Sequence, residues 1–477
     1  MNVRNPKTVV LLGVPFHDVT MDETLAEIDR IVLERTPRYI ATANLDFAAQ
    51  ANRDVELQRI LLDAHLVLCD GTPLVWTSRW LKAPLRERVA GSDLTPRLAA
   101  HAAQRGHRLF FLGSNETVLS QAKARLEAEY PGLNICGVYA PPYARLLELD
   151  YADIAERIRA ARPDILLVAL GAPKQEKWIY MHHRDLGVPC SIGIGASLDF
   201  VAGKYSRAPV WMRRGGLEWV YRLIQEPRRL VSRYAFDLNF FVRALAAQAW
   251  CQRERRGGKL EIQIAPVSAE MAVYRWSGRA DAAAVAAGTL PLPEPMAART
   301  QVLLDLAGVT FIDSTGLGLM LEGFKKCKKA GGALVLLCPG KVVLNLVATM
   351  KLTRLLPVAW TPEEAREAGQ TAAAELHPEC EARGGAVLVR CRGELTASGA
   401  GRLLELVEKD CGSQNVRLDL AELHFIDSAG LQCLLRLRKI AEGRGGGLTI
   451  VGANENVRNV LALARLDPPL SVAPLAA

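Results

Sequence analysis

Residues 165–178 read Ile165-Leu166-Leu167-Val168-Ala169-Leu170-Gly171-Ala172-Pro173-Lys174-Gln175-Glu176-Lys177-Trp178. Six apolar residues in a row, followed at once by Gly, Ala and Pro, describe a buried strand that ends in a polar cluster. The same design recurs on either side. Thr8–Leu12, Tyr39–Ala43, Leu66–Cys69, Leu109–Leu112, Asn134–Val138 and Pro189–Ile194 are further apolar runs, and helix-period segments such as Asp22–Leu33 and Thr117–Tyr130 lie between several of them. Continuous Val/Ile/Leu strands separated by helices predict an α/β domain whose parallel sheet is covered on both faces. In such sheets ligands collect beyond the carboxyl ends of the strands, so the residues just after each strand are the first candidates for a site.

The chain has 477 residues, half of them hydrophobic and 23% charged, which suits two to four soluble globular domains. No stretch approaches the roughly 18 apolar residues of a spanning helix. The best candidate, Leu238–Trp250, is broken by Asn239, Arg243 and Gln248. The N-terminal stretch lacks a secretory pattern, so the expected place is the cytoplasm, on a membrane but not through it. Ten cysteines occur without CxxC or Cys/His metal spacing, as expected of inert thiols in a reducing compartment. His182 and His183 do not make a metal site alone, and no metal is expected. His183-Arg184-Asp185-Leu186 imitates a kinase catalytic loop, but no glycine loop or DFG accompanies it. The absence of GxGxxG between strand and helix, and of GxxxxGK[ST], argues against hydride transfer and P-loop ATP hydrolysis.

Charge is unevenly placed. Residues 201–259 hold thirteen Lys/Arg against four Asp/Glu, a local net of +9 in a chain whose total is +8. Tyr205, Trp211, Trp219, Tyr221, Tyr234, Phe236, Phe240, Phe241 and Trp250 are interleaved with them. Such a segment suits a phosphate-rich partner, either an anionic membrane face or a nucleic acid. After Pro227, a plausible helix start, Leu230, Val231, Tyr234, Leu238, Phe241, Val242 and Leu245 fall at three- and four-residue spacing on one stripe. The alternative is a core helix with a solvated basic face. Nucleic acid is not expected, because no recognised binding module accompanies the charge.

Five clusters follow strands: Thr42-Ala43-Asn44, Asp70-Gly71, Arg88 to Asp93, Gly171 to Trp178, and Gly195 to Phe200. Asp70 ends the run Leu66–Cys69, with Gly71 allowing a turn. A carboxylate at that mouth can take a proton from a hydroxyl nucleophile, or it can cap the helix that Pro73 announces. Leu109–Gly113 followed by Ser114-Asn115-Glu116-Thr117 is a strand, a glycine turn and a capped helix start, a common pattern that can hold phosphate.

These clusters resemble the WecG/TagA/CpsF glycosyltransferase family over roughly residues 8–235. The matching stretches are Asp70-Gly71, Arg88-Val-Ala-Gly-Ser-Asp93-Leu94, Gly171-Ala-Pro-Lys-Gln175-Glu176-Lys-Trp178, Gly203 with Arg207-Ala208-Pro209, and Leu217-Glu218-Trp219 through Arg228-Arg229-Leu230. The resemblance implies a Rossmann-like domain without a cofactor. It would transfer a sugar, N-acetylmannosamine or a related hexose, from a UDP-sugar to a polyprenyl-diphosphate-linked glycan, inverting and without a metal. It makes Asp70 the base, with Thr42, Asn44, Gly71, Arg88, Asp93, Gln175 and Glu176 around the sugar and diphosphate. It also makes residues 201–258 a membrane-lying appendage whose Arg222, Arg229 and Arg233 hold the lipid diphosphate. One departure is Ala140-Pro141-Pro142-Tyr143, where the family tends to have Gly-Tyr-Phe, and it bears on the donor sugar.

Beyond residue 259 a repeat begins. Leu304-Asp305-Leu306 with Phe311-Ile312-Asp313-Ser314-Thr315-Gly316-Leu317 returns as Leu418-Asp419-Leu420 with Phe425-Ile426-Asp427-Ser428-Ala429-Gly430-Leu431, 114 residues later. Two tandem small α/β domains are expected, residues 259–370 and 375–477, with a linker near Thr361–Leu376. Both resemble the STAS domain of sulphate transporters and anti-sigma-factor antagonists. Ser314 and Ser428 are N-cap candidates, and the resemblance makes them sites for a partner kinase. The expected protein is a peripheral-membrane glycosyltransferase with a regulatory or docking tail, serving polysaccharide or wall-polymer assembly. The alternatives are a phosphorylation-controlled scaffold with a weak or inactive transferase half, and an unrelated nucleotide-sugar or dinucleotide enzyme.

Overall fold

The computed structural model describes residues 6–209, 212, 217–225, 227–251, 261–268, 271–295, 297, 300–372, 376–383, 386–410, 415–464, 466 and 470–473. It begins with a hairpin, β1 (Thr8–Leu11) against β2 (Val14–His17), antiparallel and separate from the main sheet. This differs from the expectation that the first apolar run joins the parallel sheet. Leu12 and Gly13 form the two-residue turn, both at positive φ (52° and 87°), the geometry that matches hairpin twist. The turn is hard to see in sequence because Val9 to Val14 are buried on both sides, so no polar residue marks it.

Six strands then form one parallel sheet: β3 (Arg38–Ala43), β4 (Leu66–Cys69), β5 (Arg108–Gly113), β6 (Asn134–Tyr139), β7 (Ile165–Ala169) and β8 (Cys190–Gly193). Their order is β4-β3-β8-β7-β5-β6. Alternate residues feed two cores. Ala41, Phe110, Leu112, Leu166 and Val168 pack on one face, and Ile40, Leu109, Phe111, Ile165 and Leu167 on the other. This is why the strands read as unbroken apolar runs. The helix Met21–Glu34 starts at a capping box of Thr20 and Glu23, and Asn115 caps Glu116–Glu129.

The helix Pro227–Cys251 follows Glu218–Gln225. Its apolar residues do not make the single stripe expected. Phe240, Phe241, Ala244, Leu245 and Ala249 pack on the transferase core, while Val231, Leu238 and Val242 are 55%, 59% and 58% exposed on another face. Arg53 lies over the Phe236 ring at 4.0 Å, a further tie to the core. Among the described residues no helix is long and apolar enough to cross a membrane.

The first repeat has β9 (Glu261–Ser268), β10 (Met271–Ala280), β11 (Gln301–Ile312), β12 (Ala333–Leu337) and β13 (Val358–Ala359), ordered β13-β12-β11-β10-β9. The second has β14 (His377–Arg383), β15 (Ala386–Leu395), β16 (Asn415–Asp419), β17 (Leu423–Ile426), β18 (Leu448–Val451) and β19 (Ser471–Ala473). Its order is β14-β15-β16-β18-β19, with β17 beside β15. Each repeat opens with an antiparallel pair and continues in parallel. The caps are one residue earlier than expected. Asp313 and Asp427 are the N-caps, and Ser314 and Ser428 are the first helical residues of Ser314–Lys329 and Ser428–Gly443. The Asp313 carboxylate already takes the N–H groups of Thr315 (2.7 Å) and Gly316 (2.9 Å), so no capping task remains for the serine. The chain divides into two compact units, residues 1–368 and 369–477. The first repeat therefore belongs with the transferase domain rather than with its twin.

Candidate active site

The ends of β3, β4 and β8 meet around Gly91, the first residue of the helix Gly91–Arg105. A Cβ on Gly91 would lie 3.0 Å from Ser197 Oγ, 3.3 Å from the Ile194 carbonyl and 3.4 Å from Thr42 Oγ1. Glycine there lets the helix start enter between the strand ends. Its N–H then donates to Asp70 Oδ2 at 3.3 Å, setting the carboxylate against a helix N-terminus. Asp70 is half-buried and is not a cap. The helix Thr72–Trp80 has Gly71 at its N-cap position, with no side-chain hydrogen bond.

The Val89 N–H donates to the Cys69 carbonyl at 3.0 Å, which ties the loop before Gly91 to the end of β4 and brings Arg88 beside Asp70. Arg88 Nη1 donates to Glu218 Oε2 (2.8 Å) and Nη2 to Asp93 Oδ2 (2.5 Å). Arg207 Nη2 donates to the other Asp93 oxygen and, at 3.4 Å, to Ser92 Oγ. Burial works against the Arg88 charge, but Asp70, Glu218 and Asp93 outweigh it and hold the guanidinium above the ordinary arginine range. Burial likewise raises Asp93, yet Arg207 and Arg88 prevail and keep it below the usual carboxylate range. A cavity of about 430 Å³ opens beside this cluster, lined by Met21, Glu87, Arg88, Asp93, Pro96, Arg97, Tyr130 and Arg207. Asp70 is not part of that lining; the two sides meet at Arg88.

Thr42 and Asn44 flank the end of β3. Thr42 Oγ1 is buried and donates to the Gly193 carbonyl at 2.8 Å, clasping β3 to β8. Asn44 Oδ1 caps the helix Leu45–Ala51 through the Phe47 N–H at 3.2 Å. Gln175 and Glu176 were expected around the sugar. Both are buried, and Gln175 Nε2 donates to Glu176 Oε1 at 2.6 Å while its Oε1 accepts from the Gly195 N–H at 3.2 Å. The pair thus sits under the strand ends and holds the loop after β8. Gly193 makes room for it, since a Cβ there would lie 2.7 Å from Glu176 Oε1. Burial pushes the Glu176 carboxyl up to about 8, so it stays protonated at neutral pH. The rest of that motif is also structural: Lys177 pairs with Asp54 (2.7 Å) and Glu56 (2.8 Å), and Trp178 is buried. Lys174 Nζ reaches the Ala144 carbonyl at 2.6 Å, tying down the loop that carries the exposed Tyr143.

The structure therefore joins Asp70, Gly71, Arg88 and Asp93 in one cluster, with Thr42, Asn44, Gln175 and Glu176 as its frame. Glu218 and Arg207 were not singled out as site residues, although both stand in the stretches that carried the resemblance. The side chains of Arg222, Arg229 and Arg233 lie outside the described residues. Ser314 and Ser428 are both buried.

Residues 9–255 match the glycosyl transferase WecG/TagA/CpsF family, more than half of the chain. The chain belongs to that family. It is a glycosyltransferase of the WecG/TagA/CpsF type, and the Asp70–Arg88 cluster lies within its matched region. Residues 250–365 and 380–472 match STAS domains. Among curated relatives, an N-acetylglucosaminyldiphosphoundecaprenol N-acetyl-beta-D-mannosaminyltransferase of Bacillus spizizenii is 32% identical over 45% of this chain and 82% of its own length. Its counterpart of the same name in Bacillus subtilis is 36% identical over 40% of this chain and 72% of its own. A crystal structure of a Thermotoga maritima anti-sigma factor antagonist covers 20% of this chain and 84% of that one, at 24% identity and a TM-score of 0.19.

Proposed function

We propose that this WecG/TagA/CpsF-family transferase moves N-acetylmannosamine, or a related hexose, from a UDP-sugar to a polyprenyl-diphosphate-linked glycan at the inner face of the cell membrane. The reading rests on one observation above all. The half-buried Asp70 carboxylate stands at the mouth of the sheet beside Arg88, in a chain similar to N-acetylmannosaminyltransferases that use a lipid-diphosphate acceptor. In the proposed step Asp70 takes the proton of the acceptor hydroxyl as its oxygen attacks the anomeric carbon. The bond from that carbon to the donor diphosphate breaks on the opposite face, and UDP leaves with the electron pair. Arg88 is a cation that interacts with the base. To reach the leaving diphosphate it would exchange a carboxylate partner, Glu218 or Asp93, for a phosphate oxygen. The tail would serve regulation or docking.

Asp70→Asn tests this. Transfer to a lipid-linked acceptor should fall about 10²–10⁴-fold, the usual worth of a general base, while the circular dichroism and melting temperature stay unchanged. Full activity in that variant would remove Asp70 from the base role. A thermal-shift screen of UDP-sugars identifies the donor, because a ligand that binds only the folded chain raises its melting temperature.

A further inference from the structure

The first STAS repeat does not stand apart from the transferase. Val10 of β1 and Leu62 belong to the same apolar cluster as Trp276, Leu317, Met320 and Leu321 of the repeat. Gln248, near the end of the long helix, is fully buried and joins three elements. Its Oε1 accepts from the Leu12 N–H (3.1 Å), and its Nε2 donates to the Val10 carbonyl (3.1 Å) and to Ser314 Oγ (2.8 Å). Lys325 Nζ caps the helix Val55–Asp63 at the Ala64 carbonyl (3.2 Å), and Gln58 Nε2 reaches the Met350 carbonyl (3.2 Å).

Two glycines make this approach possible. A Cβ on Gly318 would lie 2.1 Å from the Thr8 carbonyl oxygen and 2.8 Å from its carbon, inside the backbone of β1. One on Gly13 would lie 2.8 Å from the Met350 oxygen. Gly318 sits inside the helix Ser314–Lys329, where glycine is less favourable than alanine, so propensity does not explain it. The second repeat offers a comparison. At the same 114-residue offset that relates Ser314 to Ser428, Gly316 matches Gly430 but Gly318 matches Gln432. Gly316 and Gly430 both meet a carbonyl of their own repeat, Ala280 at 2.1 Å and Leu395 at 2.3 Å. Gly318 alone of these faces the transferase, and of the two glycine positions it is the one that the second repeat does not keep.

We infer that the first repeat is a built-in partner of the transferase. Its Ser314 face docks on the β1–β2 hairpin through Gly318 and is locked to the long helix by Gln248. The second repeat, with Gln432, cannot take that place. The face that starts at Ser314 is thus filled from within the chain, and an outside protein reaches it only after the hairpin has left.

Hydrogen exchange on the full chain tests this. Gly318→Gln, which copies the second repeat, should speed exchange at Thr8–Leu11 by about tenfold or more while β11 and β12 stay protected. Gln432→Gly should leave the hairpin unchanged. Hairpin protection that survives Gly318→Gln overturns the proposal, as does equal loss in Gln432→Gly. If Gly318→Gln instead unfolds the repeat, seen as lost protection in β11 and β12, Gln248→Ala decides. That variant leaves the Ser314 helix intact, and unchanged exchange at Leu12 and the hairpin then overturns the proposal.

Discussion

Glu176 shows how one residue can be conspicuous in sequence and yet work out of sight. Its carboxyl is buried with Gln175, and burial lifts it from the ordinary 4.5 to about 8. Between those values the folded chain keeps a proton that the unfolded chain releases. This contribution to stability therefore falls as pH rises from about 4.5 to about 8, and is level above that. Glu176→Gln keeps the hydrogen bond from Gln175 and removes the titration. Its stability relative to the parent should be close at pH ~5 and should grow toward pH ~8, as read by denaturant unfolding at both. An advantage that does not change with pH would show that the carboxyl is ionised in the fold. Asp70 was legible as a candidate because it ends a strand, and Arg88 because it opens a polar stretch that carried the family resemblance; in the structure Arg88 follows the helix Thr72–Trp80 and a loop, not a strand. That Gln175 and Glu176 lie beneath the cleft was not, because a polar pair after a strand reads the same whether it faces a ligand or a buried loop.

At the scale of elements, the long helix Pro227–Cys251 serves two environments. Phe240, Phe241, Leu245 and Ala249 lie on the transferase core, and Val231, Leu238 and Val242, spaced by seven and four, share an exposed face with Arg243 nearby. The preceding helix adds Trp219 and Ile224, 44% and 72% exposed. An exposed apolar face with Arg243 nearby suits an anionic lipid surface, where a basic residue contributes about 1 kcal/mol. Changing Val231, Leu238 and Val242 together to Ser should weaken binding to phosphatidylglycerol vesicles at least ~10-fold without lowering the melting temperature. Undiminished vesicle binding would show that this face is not what meets lipid. The helix start at Pro227 was plain in sequence. Its division into two faces was not, since a mixed apolar stripe cannot say which of its members meet protein.

For the molecule as a whole, the boundary that composition places near residue 259 is not where the structure separates. Val10 and Leu62 of the transferase are covered by the first repeat, and burying such side chains is worth about 1.5–3 kcal/mol each. A fragment ending at residue 258 should consequently melt well below one ending at 368 and should bind a hydrophobic dye, whereas removing only 369–477 should leave the melting of the first unit nearly unchanged. Equal melting temperatures for the two fragments would show that the shared core contributes little. Loss of transfer activity in the shorter fragment would reflect this exposed surface as much as any regulatory role.

What the sequence determined by itself is the local and repetitive part. Unbroken apolar runs define the parallel strands, glycine and aspartate after them mark the site, and the duplicated Asp-Ser-x-Gly-Leu defines two small domains. Those features depend on neighbours a few residues apart, or on a repeat that can be laid over itself. Tertiary structure alone decided that Glu218 and Arg207 complete the Arg88–Asp93 cluster, that Gln175 and Glu176 support rather than line the cleft, and that Gln248 joins Ser314 to the first hairpin. The Arg88, Arg207 and Gln248 contacts cross tens to hundreds of residues, while the neighbouring Gln175 and Glu176 take their role from what buries them. Their meaning lies in burial and in the shape of what approaches them, and neither is written in the order of residues.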